Sequence, residues 1–253
     1  MRYLILSDIH SNLEALRAVW SLAKDACDRV ICCGDVVGYG PDADAVTEWV
    51  REHAAAVVRG NHDKACSGVM TPDDFSEPAK LAAYWTREHL LPENRQYLMD
   101  LPRGPRTVEG PFAILHGSPR DEDEYIPTVF AAAHILEYLP HRISFFGHTH
   151  LQGGFVRSGS RLREVALKPR TPGMRSGRKA RGVLELKPEE IYYLNPGSVG
   201  QPRDRDPRAA FAIYDTEGVV EYGRANYNIE ATMKKILLAG LPDFLAYRLT
   251  LGR

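Results

Sequence analysis

An α/β fold built on a parallel sheet is what the chain predicts, on three observations. Residues 3–6, 29–33 and 54–58 are short apolar runs without a helical period, and they read as buried strands. A stretch with helical character follows each of them, so three β-then-α units stand in series. Each run then passes into Asp, Asn or His, which suits the ligand-binding ends of strands in open α/β sheets.

Taken in order, residues 3–6 lead into Asp8-Ile9-His10. In extended chain, positions i and i+2 project to the same side, so the Asp8 carboxylate and the His10 imidazole are expected side by side. Ser11 and Glu14 have capping-box spacing, and Leu13, Leu16 and Val19 repeat at helical spacing behind them. The second strand ends in Gly34-Asp35, and residues 43–52 read as the next helix. The third strand ends in Arg59-Gly60-Asn61-His62-Asp63. Residues 77–98 look helical, broken at Leu91-Pro92. Residues 112–115 form a fourth strand ending in His116-Gly117. A helix near residues 131–138 leads to a fifth strand, 143–146, which ends in Gly147-His148-Thr149-His150.

Beyond Leu151 the texture changes. Residues 157–182 hold nine Lys or Arg and one acid, Glu164, and read as a basic loop or hairpin insertion. Residues 183–186, 191–194 and 210–214 read as short strands in a meander, with a turn at Asn195-Pro196-Gly197-Ser198. A C-terminal helix and tail occupy residues 229–253.

The totals set bounds. The 253 residues suit one domain, 1–253, large enough to fold without staples. A composition of 44% hydrophobic and 26% charged residues is that of an ordinary globular protein. Net charge is −1, and no basic stripe is interleaved with aromatics, so a nucleic-acid partner is not expected. No stretch has the length of a membrane span, and the first apolar run is too short for a signal peptide. Cys27, Cys32, Cys33 and Cys66 lack C-x-x-C spacing. A cytoplasmic protein with reduced thiols is expected.

Five polar blocks therefore follow five apolar strands: Asp8-x-His10, Gly34-Asp35, Gly60-Asn61-His62-Asp63, His116-Gly117 and Gly147-His148-x-His150. Gathered at one sheet edge without a counter-charge, these groups would carry a desolvation cost that divalent cations remove. Carboxylate, imidazole and amide oxygen suit Mn, Fe, Zn, Ni or Co. The blocks resemble the pattern D-x-H, G-D, G-N-H-[D/E], H, G-H-x-H of the calcineurin-like metallophosphoesterases. The flanking Gly38-Tyr39-Gly40-Pro41 and Asn195-Pro196-Gly197-Ser198-Val199-Gly200 resemble its small single-domain prokaryotic branch.

The resemblance implies a four-layer α/β/β/α sandwich of two mixed sheets flanked by helices, with the late meander extending the second sheet. It implies two divalent metal ions, one on Asp8, His10 and His150, the other on Asn61, His116 and His148, with Asp35 bridging them. A hydroxide between the ions would attack phosphorus, and His62 would protonate the leaving oxygen, oriented by Asp63 or a backbone carbonyl. The implied substrate is a small phosphorylated compound, and nothing in the sequence sets the oligomeric state.

One departure matters. Protein phosphatases of the family carry G-D-x-x-D-R-G, whereas this chain reads Gly34-Asp35-Val36-Val37-Gly38-Tyr39-Gly40. The histidine-orienting aspartate is replaced by Gly38 and the phosphate-gripping arginine by Tyr39. This favours phosphodiesters or nucleotides, with Tyr39, Arg203 and Arg205 as candidate substrate contacts. A phosphomonoesterase or protein phosphatase, a nuclease, and a non-catalytic scaffold of the same fold are the alternatives.

Overall fold

The structure, a computed structural model, describes residues 1–109, 112–165 and 182–253. Most of the basic segment of residues 157–182 therefore lies outside the described residues.

The chain opens with β1 (Arg2–Leu6), α1 (Leu13–Ala23), β2 (Arg29–Cys32), α2 (Ala43–His53) and β3 (Ala54–Val57), and the three strands pair in parallel as the β-then-α series predicts. Then come α3 (Asn61–Ser67), α4 (Glu77–His89) and α5 (Pro92–Met99). The break between α4 and α5 sits at Leu91-Pro92, where Pro92 takes the first turn of α5 and needs no N–H partner. Next are β4 (Arg106–Val108), β5 (Phe112–Ile114), α6 (Val129–Ala133) and β6 (Ile143–Phe145). The C-terminal part holds β7 (Gly153–Ser158), β8 (Arg161–Glu164), β9 (Gly182–Glu185), β10 (Glu190–Asn195), β11 (Ala209–Asp215), β12 (Val219–Ala225), α7 (Ile229–Leu238) and α8 (Asp243–Tyr247).

Two mixed six-stranded sheets result. The first has the order β3-β2-β1-β11-β12-β9 and the second β4-β5-β6-β10-β7-β8. Period-two alternation sorts each strand's side chains between layers. Tyr3 and Ile5 of β1 join Ile31, Phe112, Ile114, Phe145, Tyr192, Leu194 and Tyr214 in the core between the sheets. Leu4 and Leu6 face the other way, onto Leu16 and Val19 of α1 and Val46 and Val50 of α2. The outer face of the second sheet, with Leu115, Phe146, Phe155 and Tyr193, is covered by Ala132 and Leu136.

Four expectations need correction. The late strands are not a simple meander that extends the second sheet. Only β10 joins that sheet, whereas β9, β11 and β12 extend the first one, with β11 antiparallel to β1. The sequence shows strand character but not strand partners. The N-cap of α1 is Asn12, whose carboxamide accepts the Ala15 N–H at 3.1 Å, not Ser11. Ser11 instead turns through φ 53°. The helix expected near residues 131–138 is a short α6 followed by a 3-10 turn, Leu136–Tyr138. Finally, the Gly60-Asn61-His62-Asp63 block, expected as the end of the third strand, caps and starts a helix, α3. All four cysteines are unpaired.

Candidate metal centre

The loops that leave β1, β2, β5 and β6 converge with the start of α3. Asp8 N donates to Gly34 O at 3.0 Å, and Ile9 N and His10 N both donate to Asp35 O, at 2.8 and 3.1 Å. Asp8, His10, Asp35, His148 and His150 all have φ between 50° and 65°. Left-handed backbone at five non-glycine residues is costly, and it concentrates where the surroundings force it. The extended i, i+2 geometry expected for Asp8 and His10 is thus not what brings them together, because β1 ends at Leu6 and the turn re-aims both side chains.

Two donor groups form. Asp8, His10, Asp35 and His150 make one and Asp35, His116 and His148 the other, with the donor atoms of each group within 4.8 Å of one another. Asn61 joins the second group, its Oδ1 lying 3.2 Å from His116 Nε2. Asp35 belongs to both. Its Oδ1 accepts the His62 N–H at 2.9 Å, while Oδ2 lies 3.6 Å from His10 Nε2 and 3.4 Å from His116 Nε2.

These residues fit divalent cations. His10 Nδ1 lies 3.0 Å from Val37 O, His150 Nδ1 2.6 Å from Gln201 O and His116 Nδ1 2.9 Å from Cys33 O. A carbonyl only accepts, so each Nδ1 carries the proton and each Nε2 of a neutral ring presents a lone pair inward. His10 Nε2 and His150 Nε2 then face each other at 3.1 Å, acceptor to acceptor. Asp8 Oδ2 and Asp35 Oδ2 are buried and have no hydrogen-bond partner among the described residues. Opposed lone pairs beside orphaned carboxylate oxygens are the arrangement a cation resolves.

Electrostatics agree. Burial holds His10 and His150 well below the usual imidazole range and takes His148 down to about 3, which leaves them in the neutral form that ligates. Burial pushes the Asp8 carboxyl up to about 7. Burial also opposes charge on Asp35 and His116, but their mutual attraction outweighs it. Asp35 is held well below the carboxylate range and His116 is lifted to about 10, so without a cation His116 pairs with Asp35 as an imidazolium, and a cation bound there would take the place of the Nε2 proton.

The model of the calcineurin-like phosphoesterase superfamily domain matches residues 1–218 of the chain. The chain belongs to the calcineurin-like phosphoesterase superfamily. This phosphoesterase is 31% identical over 260 residues to an uncharacterized protein of Methanocaldococcus jannaschii, covering 98% of this chain and 97% of that one. Among solved structures, a metallophosphoesterase from Sphaerobacter thermophilus aligns with a TM-score of 0.82 at 37% identity, covering 100% of this chain and 99% of that one. A hypothetical protein from Pyrococcus horikoshii shares the fold, with a TM-score of 0.75 at 19% identity over 100% of this chain and 98% of that one. The enzyme is a metallophosphoesterase with a buried Asp/His cluster that could bind metal. Among the described residues, no helix is long and apolar enough to cross a membrane.

A cleft of about 150 Å³ opens over the cluster of this phosphoesterase, lined by Asp35, Asn61, His148 and His150 on the cluster side and by Tyr39, His62, Phe75, Tyr125 and Arg203 around them. His62 is wedged between Tyr39 and Phe75, at ring distances of 4.4 and 4.6 Å. Burial takes its pKa down to about 4. Its Nδ1 is buried without a partner among the described residues. Asp63 does not orient that ring. Its carboxylate accepts the backbone N–H groups of Asp35, Val36, Val37 and Gly60, at 2.8 to 3.1 Å, so it holds the Asp35 loop in place instead. Gly38 does lie beside His62. It has φ +92°, and a Cβ built there would sit 2.5 Å from His62 Nδ1.

Arg203 reaches Tyr39, with its Nη2 donating to the Tyr39 hydroxyl at 3.1 Å. Its Nε is buried without a partner among the described residues. Arg205 is exposed and does not line the cleft, so it is not brought to the site. Sequence reasoning missed Phe75 and Tyr125. It also missed the carbonyls of Val37, Gln201 and Cys33, which fix the imidazoles and carry no side-chain signature at all.

Proposed function

We propose that this phosphoesterase is a dinuclear metal-dependent hydrolase of phosphodiester or nucleotide-type substrates. The observation that carries the reading is Asp35 Oδ2, unpartnered and within 3.6 Å of an imidazole of each donor group. Asp8, His10 and His150 would hold one ion, Asn61, His116 and His148 the other, and Asp35 would be shared between them. Cations bound there supply a nucleophile at neutral pH and a clamp for charge that grows on the phosphoryl oxygens.

The chain's own groups do the rest. Asp63 and the laced loops hold Asp35 still. Arg203, positioned by the Tyr39 hydroxyl, offers guanidinium N–H groups to a phosphoryl oxygen in the cleft. His62 lies outside both donor groups and lines the cleft. With Nδ1 buried, Nε2 is the nitrogen left to face the leaving oxygen, and the ring, neutral at rest, would pass a proton to it once an anionic substrate beside it favours the imidazolium. Tyr39 and Phe75 pack on the ring and keep water from one side of it.

The diester reading rests on Gly38 and Tyr39. No side chain fits at position 38 without displacing the His62 ring, so no carboxylate stands there, and the position that would carry a gripping arginine holds a tyrosine. The protein purified with Mn, Co, Ni, Fe or Zn tests it, assayed on an aryl phosphodiester, cyclic nucleotides, dinucleoside polyphosphates, mononucleotides and phosphopeptides. The expected result is a kcat/KM for diesters or nucleotides well above that for phosphopeptides. The reverse order overturns the reading.

A further inference from the structure

Residues outside both donor groups tie the second one together. Lys64 lies on α3, three positions after Asn61, and is only 6% exposed. Its Nζ donates to Glu122 Oε1 at 3.0 Å and to both oxygens of Asp123, at 2.8 and 2.6 Å. Arg59, just before the Gly60-Asn61 turn, grips the same Glu122 with two bonds, Nε to Oε2 at 2.9 Å and Nη2 to Oε1 at 2.8 Å. Two cations and two carboxylates thus form one compact group that flanks the start of α3.

The acids sit on the loop that follows His116. Gly117 N donates to Glu122 O at 2.9 Å and Ser118 N to Asp121 O at 2.8 Å, which folds the loop back on itself. The Tyr125 ring, two residues beyond Asp123, packs edge-on against the His148 imidazole at 5.3 Å. The loop therefore begins at His116, positions His148 near its end, and is fastened to the helix that presents Asn61. Among the described residues, no hydrogen bond or ion pair joins Arg59, Lys64, Glu122 or Asp123 to Asp8, His10 or His150.

We infer that the Arg59–Glu122–Lys64–Asp123 clasp sets the affinity of the Asn61–His116–His148 ion site, with Lys64 as its positioning residue. The inference rests on the two-ion reading above. Loss of Lys64 removes the cation that pairs Asp123 and loosens the loop that begins at His116 and packs on His148, whereas Asp8, His10 and His150 take no hydrogen bond from the clasp among the described residues. Residues that orient metal ligands in this way are typically worth about 10–100-fold in metal affinity.

Calorimetric titration of Mn into metal-stripped protein, with bound metal counted by elemental analysis, tests this. Wild type is expected to take up two ions. Lys64→Met is expected to keep one at wild-type affinity and to bind the other about 10–100-fold more weakly. Asp123→Asn preserves volume and removes only the charge that Lys64 pairs, and it is expected to show the same one-sided loss should Lys64→Met not fold. Lys64→Arg, which keeps the charge, is expected to recover part of the affinity, whereas a general loss of stability would spare neither site. Equal weakening of both ions, or unchanged binding in both variants, overturns the inference and leaves the two-ion reading intact. A wild type that binds a single ion overturns both.

Discussion

Asp35 Oδ1 is engaged by the His62 N–H, so Oδ2 alone faces both imidazole groups. That division predicts distinct outcomes for two neighbours in space. Asp35→Ala removes the only carboxylate common to both donor groups, and elemental analysis should find neither ion retained. Two ions still bound would contradict the shared position. His62→Ala removes no donor, so metal content should stay at the wild-type value while turnover falls by at least about 10-fold, the lower end of what a general acid or base supplies falling nearer 10². Unchanged turnover in His62→Ala, at full metal content, rules out the proton-donor role. Gly38 sharpens the second test. Because His62 Nδ1 has no partner among the described residues, the ring is held by Tyr39 and Phe75 packing rather than by a hydrogen bond to an acid at position 38.

At the scale of elements, the same five polar blocks stand out in the sequence and at the cluster. They were legible because buried strands are apolar runs, and a run that ends in Asp, His or Asn marks its own end. The convergence of Asp8 with His10 was legible, but its cause was not, since left-handed backbone leaves no trace in residue type unless glycine supplies it. Sheet membership of β9, β11 and β12 was equally hidden, because alternation reports burial and says nothing of the neighbour. The misplaced cap of α1 shows the local version of that limit. Ser11 has the spacing, but its backbone is committed to the turn that lifts His10, so Asn12 caps instead. Asn12 also donates to Gly200 O at 2.9 Å and accepts from Thr232 Oγ1 of α7 at 3.2 Å. Asn12→Ala should therefore cost more than an ordinary cap, about 1 kcal/mol for the cap and about 1 more for the Gly200 carbonyl left buried without its donor. Urea denaturation measures this, and a loss below about 0.5 kcal/mol would contradict the three-way role.

Across the whole molecule, the donor set is divided between the sheets. Asp8, His10, Asp35 and Asn61 follow strands of the first sheet, and His116, His148 and His150 follow strands of the second. On the proposed assignment each ion would be held from both sheets, and binding would fasten the two halves of the sandwich at one edge. Unfolding scatters the proposed ligands over more than a hundred residues of chain, so bound ions would favour the native state alone and stabilise it by mass action. Metal at about 100 times its dissociation constant contributes about 2.7 kcal/mol per site. For a chain of this length, each kcal/mol moves Tm by roughly 2–4 °C, so one filled site is worth about 5–10 °C and two about twice that. Scanning calorimetry of the chelated and the Mn-loaded protein reads this directly. Chelation is expected to lower Tm by at least about 5 °C, and Asp35→Ala should show no such gap because it has no ions to lose. Equal Tm for the chelated and loaded wild type would mean that the sheets are not joined through metal, and the opposed lone pairs of His10 and His150 would then need another explanation.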